Sequence, residues 1–195
     1  MNNCGFSEEK AKLVEKRYHD LYKVSDDYVQ GKLKQACDDG YITAAFGLRV
    51  RTPLLGQIIW DSGVIPYEAM AEGRTAGNAL GQSYCLLNNR AANAFMEAVW
   101  ASEYSLDIKP VAMIHDAIYI LVRDDPKVME FTNRELTKAM QWQELPEIQH
   151  PEVTLGGALD IFWPTWAKAV TLDEKADEAE IIQVCSEHKQ KILNP

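Results

Sequence analysis

The sequence predicts an α+β fold with an antiparallel sheet. Segments of helical periodicity alternate with short apolar runs. Two pairs of those runs are separated by one to three residues, which is hairpin spacing. The order helix, hairpin, helix, hairpin, helix, strand completes the case. The 195 residues are 47% hydrophobic and 25% charged. That balance excludes wholesale disorder and collagen-like architecture. No apolar run approaches the ~18–20 residues of a membrane span. Residues Met1 to Lys10 show no basic flank followed by an apolar core, so no signal peptide and no membrane partner are expected.

Each element has its own local reason. Ser7 is an N-cap, with Glu8 and Glu9 in the first turn where the helix dipole favours anions. Apolar residues from Ala11 through Leu33 and Ala36 recur at helical spacing as far as Asp39, with a break expected near Val24 to Asp26. Gly40 fits the position just past a helix end. Tyr41 to Phe46 and Leu48 to Leu54 read as a hairpin around Gly47, and Gly56 to Gly63 as a connector. Pro66 opens a second helical region. It is expected to break around Gly73, Gly77 and Gly81 and to run from Gln82 to about Glu103. Val111 to Ile114 and Ile118 to Val122 form a second hairpin, and Asp124 to Pro126 start a helix through about Trp142. A strand is expected from Val153 to Ile161. The tryptophan-rich segment Phe162 to Trp166 then closes the globular part. Residues 172–192 read as a separate acidic helix, either solvated or docked on a partner, with Ile181, Ile182, Cys185 and Ile192 as a thin apolar face.

Charge and cysteines narrow the function. Four scattered cysteines without a CxxC pair read as free thiols in a reducing compartment. A net charge of −9 argues against a stand-alone nucleic-acid binder. The charge is uneven: residues 1–60 sum to +1 and residues 61–195 to −10. Binding to DNA is therefore compatible with the sequence only through placed residues or a partner.

Three motifs could carry chemistry. In the second hairpin, two apolar strands meet at His115 and Asp116. A carboxylate held rigidly at a sheet edge suits a hard divalent cation such as magnesium, although Asp is also a good turn residue. A His-Asp phosphohydrolase needs further His and Asp ligands, and His19, His150 and His188 lack that context. Second, Arg74, Asn78 and Gln82 are spaced i, i+4, i+8 and form one helical stripe drifting about 40° per step. All three donate hydrogen bonds. The DNA minor groove presents acceptors at every base pair, so such a stripe can sense pairing without reading sequence. A solvated polar face is the competing reading. Third, Arg49 and Arg51 alternate with apolar residues and point to one strand face, where they could hold a phosphate backbone or simply face solvent. The tryptophans at 60, 100, 142, 163 and 166 are expected to pack the core and its edges.

In order and spacing these motifs resemble the C-terminal, palm-containing portion of a family A (DNA polymerase I-like) DNA polymerase, phage-type. Gly5 to Ala11 and the long helix after it resemble the stretch just beyond that family's fingers helix. Gly40 to Pro53, with Arg49 and Arg51, resembles its arginine hairpin. Arg74 to Asn78 and Gly81 to Ser83 resemble its "R…N…QGt" segment. Ile114, His115 and Asp116 resemble its motif C, "vHDE", and Ala158 to Trp166 its closing segment. The likeness covers residues 5–170. It implies a long helix at 1–40, a palm region at 41–170 and an acidic helical tail at 171–195. It also implies that Asp116 is a catalytic ligand of a two-metal magnesium site. His115, Arg74, Asn78 and Gln82 would line the minor groove of primer-template DNA, with Arg49 and Arg51 near the duplex backbone.

The departures from the family pattern are as informative. Ala117 stands where the family has Glu, and Phe162 where it has Gly. The second metal-binding aspartate and the lysine-bearing dNTP helix are expected on an N-terminal partner chain. The implied function is the C-terminal subunit of a split DNA-directed DNA polymerase, in the cytoplasm (a bacterial host's, if phage-encoded). The alternative is a catalytically inactive module that binds DNA or a polymerase.

Overall fold

The computed structural model describes residues 5–57 and 66–194. The chain divides into two compact units, with the division between Tyr84 and Cys85. The architecture is mixed helix and antiparallel strand, as the sequence predicts. Among the described residues the strands form three two-stranded antiparallel sheets.

The first unit opens with α1 (Glu8–Leu21) and α2 (Lys23–Asp39). Ser7 caps α1 by accepting from the Lys10 N–H at 3.3 Å. The break falls at Tyr22, two residues before the expected position. Across it the His19 Nδ1 and the Asp26 carboxylate lie 2.6 Å apart. That contact raises the His19 pKa, first through the hydrogen bond and then through the charge. Gly40 ends α2 at φ 72°, a left-handed conformation open to glycine. Strands β1 (Tyr41–Thr43) and β2 (Arg49–Arg51) pair with Ile42 opposite Val50. A 3-10 turn at Ala45–Gly47 joins them, and another follows at Leu55–Gln57.

Helix α3 (Tyr67–Gln82) runs unbroken through Gly73, Gly77 and Gly81, contrary to the sequence expectation. Its buried face is Ala69, Gly73, Ala76 and Leu80, while Gly77 is half-buried and Gly81 exposed. A Cβ on Gly73 would touch the Leu55 side chain at 3.5 Å, and one on Gly77 the Val29 side chain at 3.7 Å. Both are ordinary contact distances, so a Cβ would fit at either position. The helix stays continuous because its buried face packs on the core, which outweighs a helix-propensity cost of about 1 kcal/mol per glycine. The core of the unit gathers Ala36, Cys37, Ile42, Leu55, Ala76 and Leu80.

The second unit opens with α4 (Cys85–Trp100). Strands β3 (Ile108–Ile114) and β4 (Ala117–Val122) form a hairpin with a register irregularity between Pro110 and Ala112. Helix α5 (Pro126–Met140) follows. Phe95, Val99, Ile108 and Val128 centre the core, with Ile118, Ile120 and Val122 of the hairpin packed against it. Arg123 closes the open end of the hairpin. Its two guanidinium nitrogens donate to Asp107 at 3.0 Å and Asp125 at 2.8 Å. Asp125 also caps α5, and the Lys127 N–H, then Arg123, hold its carboxyl below the usual range.

Of the expected 153–161 strand only Asp160 and Ile161 lie in a strand, β5 (Asp160–Phe162). It pairs with β6 (Ala169–Thr171), so the chain continues past Trp166 into a third apolar cluster of Leu172, Ala176 and Ile181. Helix α6 (Glu178–Leu193) begins with a capping box of Asp177 and Glu180, and it packs Ile181 inward while Ile182 is left exposed. None of the described tryptophans is buried, so of the expected core and edge positions only the edge is taken. Trp100 and Trp166 are each 69% exposed, and Trp163 is exposed as well. Trp142 is half-buried beneath the Arg90 guanidinium at 3.8 Å. A ring with a polar edge stays wet at a core margin when a cation or second ring covers one face. Trp60 and Cys4 lie outside the described residues, as does most of the 56–63 connector. Cys85 and Cys185 are free thiols, and the buried Cys37 thiol donates to the Leu33 carbonyl at 3.3 Å. Among the described residues no helix is long and apolar enough to cross a membrane.

Candidate functional site

The first unit carries five of the seven sequence-derived site residues. Arg74, Asn78 and Gln82 lie on α3 and are all exposed, while Ala69, Gly73, Ala76 and Leu80 of the same helix are buried. The helix is continuous, so the i, i+4, i+8 stripe is physically intact. Arg74 Nε donates back to the Met70 carbonyl at 3.4 Å, which steadies the base of that side chain. Arg49 and Arg51 are exposed on β2, two residues apart and so on one strand face. Val50 between them packs on the core. The Arg49 guanidinium lies over the Tyr41 ring at 4.6 Å, a cation–π contact that limits its wandering.

Two side chains that the sequence did not single out join these elements. The Glu72 carboxylate accepts the N–H groups of Leu54 at 2.8 Å and Leu55 at 2.7 Å. The buried Ser83 hydroxyl accepts the Ala45 N–H at 3.0 Å and donates to the Leu80 carbonyl at 2.7 Å. Such long-range side chain to backbone bonds leave no spacing signal in a sequence.

The second unit carries His115 and Asp116. Ile114 pairs with Ala117, so these two residues alone make the turn between β3 and β4. His115 has φ 56°, a left-handed conformation that disfavours a residue with a Cβ. Both residues are exposed. Behind the turn, Asn88 of α4 is 4% exposed and directs its Nδ2 to the Ala117 carbonyl at 3.5 Å. Its Oδ1 has no hydrogen-bond partner among the described residues. A cleft of about 1060 Å³ runs beside the turn, lined by Asn88, Asp116, Tyr119, Met129 and Trp166 among others. The Trp166 ring stacks on Tyr119 at 5.1 Å.

Chemically, the candidate residues of the first unit are a row of donors, Arg74 among them, and the two further cations Arg49 and Arg51, and none of these five is a nucleophile or a metal ligand. The second offers one accessible carboxylate on a fixed turn. No three His, Cys, Asp or Glu side chains gather to hold a metal ion among the described residues. Asp116 by itself therefore does not make up a divalent-cation site, and carboxylates from elsewhere would be needed.

No protein-family model matches the sequence, and no curated protein sequence matches it. Among solved structures, the chain is similar to the POL domain of Pol1 from M. smegmatis in complex with DNA primer-template and dNTP. The TM-score is 0.54 at 21% identity, over 71% of this chain and 24% of that one. The chain thus has a polymerase-like fold and spans about a quarter of that structure's length.

Proposed function

We propose that this chain forms the C-terminal part of a DNA-directed DNA polymerase and works with a second polypeptide that carries the fingers and the rest of the palm. The observation that carries this reading is Asp116 in a two-residue turn of an apolar hairpin, in a chain of polymerase-like fold. The reaction is attack of a primer 3′-hydroxyl oxygen on the α-phosphorus of a dNTP. The new P–O bond replaces the bond to the leaving diphosphate, and the hydroxyl proton is lost. Magnesium is the cofactor this chemistry calls for: when bound, it offsets the charge on the transferring phosphoryl group. Asp116 would be this chain's one ligand to it, beside carboxylates of the partner.

Arg74, Asn78, Gln82 and His115 would contact the minor groove near the primer terminus. Arg49 and Arg51 would grip the duplex backbone. These contacts hold the terminus in line for attack, which is a positioning role. The phage-type, cytoplasmic setting belongs to the same proposal.

A second reading is an inactive accessory module that binds DNA or a polymerase. Ala117 beside Asp116, and the absence of a three-ligand cluster among the described residues, favour it. Primer extension separates the two. The chain alone, the candidate partner alone and both together are assayed with matched primer-template DNA. Extension that requires both chains and Asp116 supports the polymerase reading. Extension by the partner alone, unchanged by this chain, supports the module.

A further inference from the structure

The contacts of Glu72 and Ser83 bracket the candidate DNA-binding residues of the first unit on both elements. Along α3, Glu72 precedes Arg74 and Ser83 follows Gln82. Along the hairpin, Ala45 precedes Arg49, and Leu54 and Leu55 follow Arg51. The two tethers bond Glu72 to the end of this segment and Ser83 to its beginning. Glu72 on α3 and Ser83 at its C-cap are eleven residues apart, about 16 Å along a helix. One tether would leave the strand free to pivot on the helix. Two so far apart fix both its position and its direction. The core contacts of Val50 and Leu55 add apolar support between them.

We infer that Glu72 and Ser83 are positioning residues for duplex recognition: they lock the β2 arginines to the α3 donor stripe so that backbone grip and groove sensing engage DNA as one rigid piece. This rests on the reading of the chain as a primer-template binder. Neither residue needs to touch DNA. A duplex whose terminal pair is distorted would then meet a surface unable to adjust strand and helix separately, so a poor fit at the stripe also weakens the grip of the arginines.

The test uses the full chain and a short fluorescent primer-template duplex with a matched or mismatched terminus, titrated across a salt series. Glu72→Ala is expected to lower the slope of log affinity against log salt by about one to two, at ~0.9 for each phosphate no longer neutralised. It should also shrink the matched-to-mismatched affinity ratio several-fold. Glu72→Gln keeps a carbonyl acceptor and drops the charge, so it should retain both slope and ratio. Ser83→Ala tests the other end and should act like Glu72→Ala, which covers the case in which that variant does not fold. In an Arg49→Ala, Arg51→Ala background, Glu72→Ala should change the slope no further; a merely structural role predicts additive losses. An unchanged slope and ratio in Glu72→Ala, with Arg74→Ala still weakening binding, overturns the positioning role and leaves the DNA-binding reading standing. Equal effects of Glu72→Gln and Glu72→Ala overturn it too, by assigning the effect to charge. A folded wild-type chain that binds no duplex, either alone or together with the partner chain, overturns both.

Discussion

Helix α3 and the β3–β4 turn present their polar side chains by opposite means. On α3 the exposed stripe is the outer side of a helix whose other face is packed into a core of Ala36, Ile42, Leu55 and Leu80. Its geometry is inherited from regular structure and from tethers at both ends. At the turn, two residues carry the chain from one strand to the next, and His115 does so in a left-handed conformation. A row of donors is useful only as a row, so it is built on a helix. A single carboxylate needs one fixed point, and a two-residue turn between paired strands supplies it.

The comparison can be broken first at Asp116. In the assembled enzyme Asp116→Ala should reduce primer extension by about a thousandfold or more, the scale of several kcal/mol of forfeited charge stabilisation. Duplex affinity should stay within about twofold, since a lone carboxylate contributes no phosphate contact. Extension that survives the substitution would remove the turn from the chemistry.

The next effect lies under the stripe. Leu80 is 2% exposed, and Leu80→Ala should cost about 2–5 kcal/mol of stability by leaving a cavity. Chemical denaturation measures this directly. A loss well under 1 kcal/mol would mean that α3 is not held by its core face.

Gln82→Ala should weaken binding to a primer terminus about fivefold, the worth of one neutral hydrogen bond, with little change in thermal midpoint. Equal affinity for matched and mismatched termini, before and after the change, would leave the stripe as a solvated face. His115→Gly should relieve the left-handed strain and offset that gain with extra chain entropy, leaving stability within about 1 kcal/mol of wild type. If His115 touches the primer terminus, extension falls even so, and a variant with unchanged extension would make the turn merely a turn.

The smallest effect concerns pH. The Asp125 pKa is depressed by the Lys127 N–H and Arg123. Its stabilising contribution is therefore full above the unfolded carboxylate pKa and is lost as pH falls through the depressed folded value. Asp125→Asn should flatten the acid limb of a stability profile below about pH 4. An unaltered limb would show that Asp125 does not anchor the base of the hairpin.

Much of the local structure was legible in the residues. Ser7 marks a helix start and Gly40 a helix end because capping and left-handed turns are decided within a few residues. The apolar runs around His115 and Asp116 announce a hairpin for the same reason. The α3 stripe was visible as a spacing, but its continuity was not. Gly73, Gly77 and Gly81 read as helix breakers, yet the buried face of α3 on the core carries the helix through all three. The 153–161 segment begins and ends with strand-forming residues but is interrupted by Gly156, Gly157 and Ala158, and only from Asp160 on does it find a partner strand. Trp100 and Trp166 read as residues of the core or its edges, and only their neighbours reveal that they lie at its margin.

The sequence alone thus determined the α+β class, the helix ends, the two hairpins and the candidate carboxylate and donor residues, since each rests on short-range rules of backbone and side-chain preference. Tertiary structure decided what sits behind them: the core that holds α3 continuous, the Glu72 and Ser83 tethers, and Asn88 beneath the turn. Those depend on which distant residues meet, and a hydrogen bond spanning 17 or 38 residues along the chain leaves no local trace.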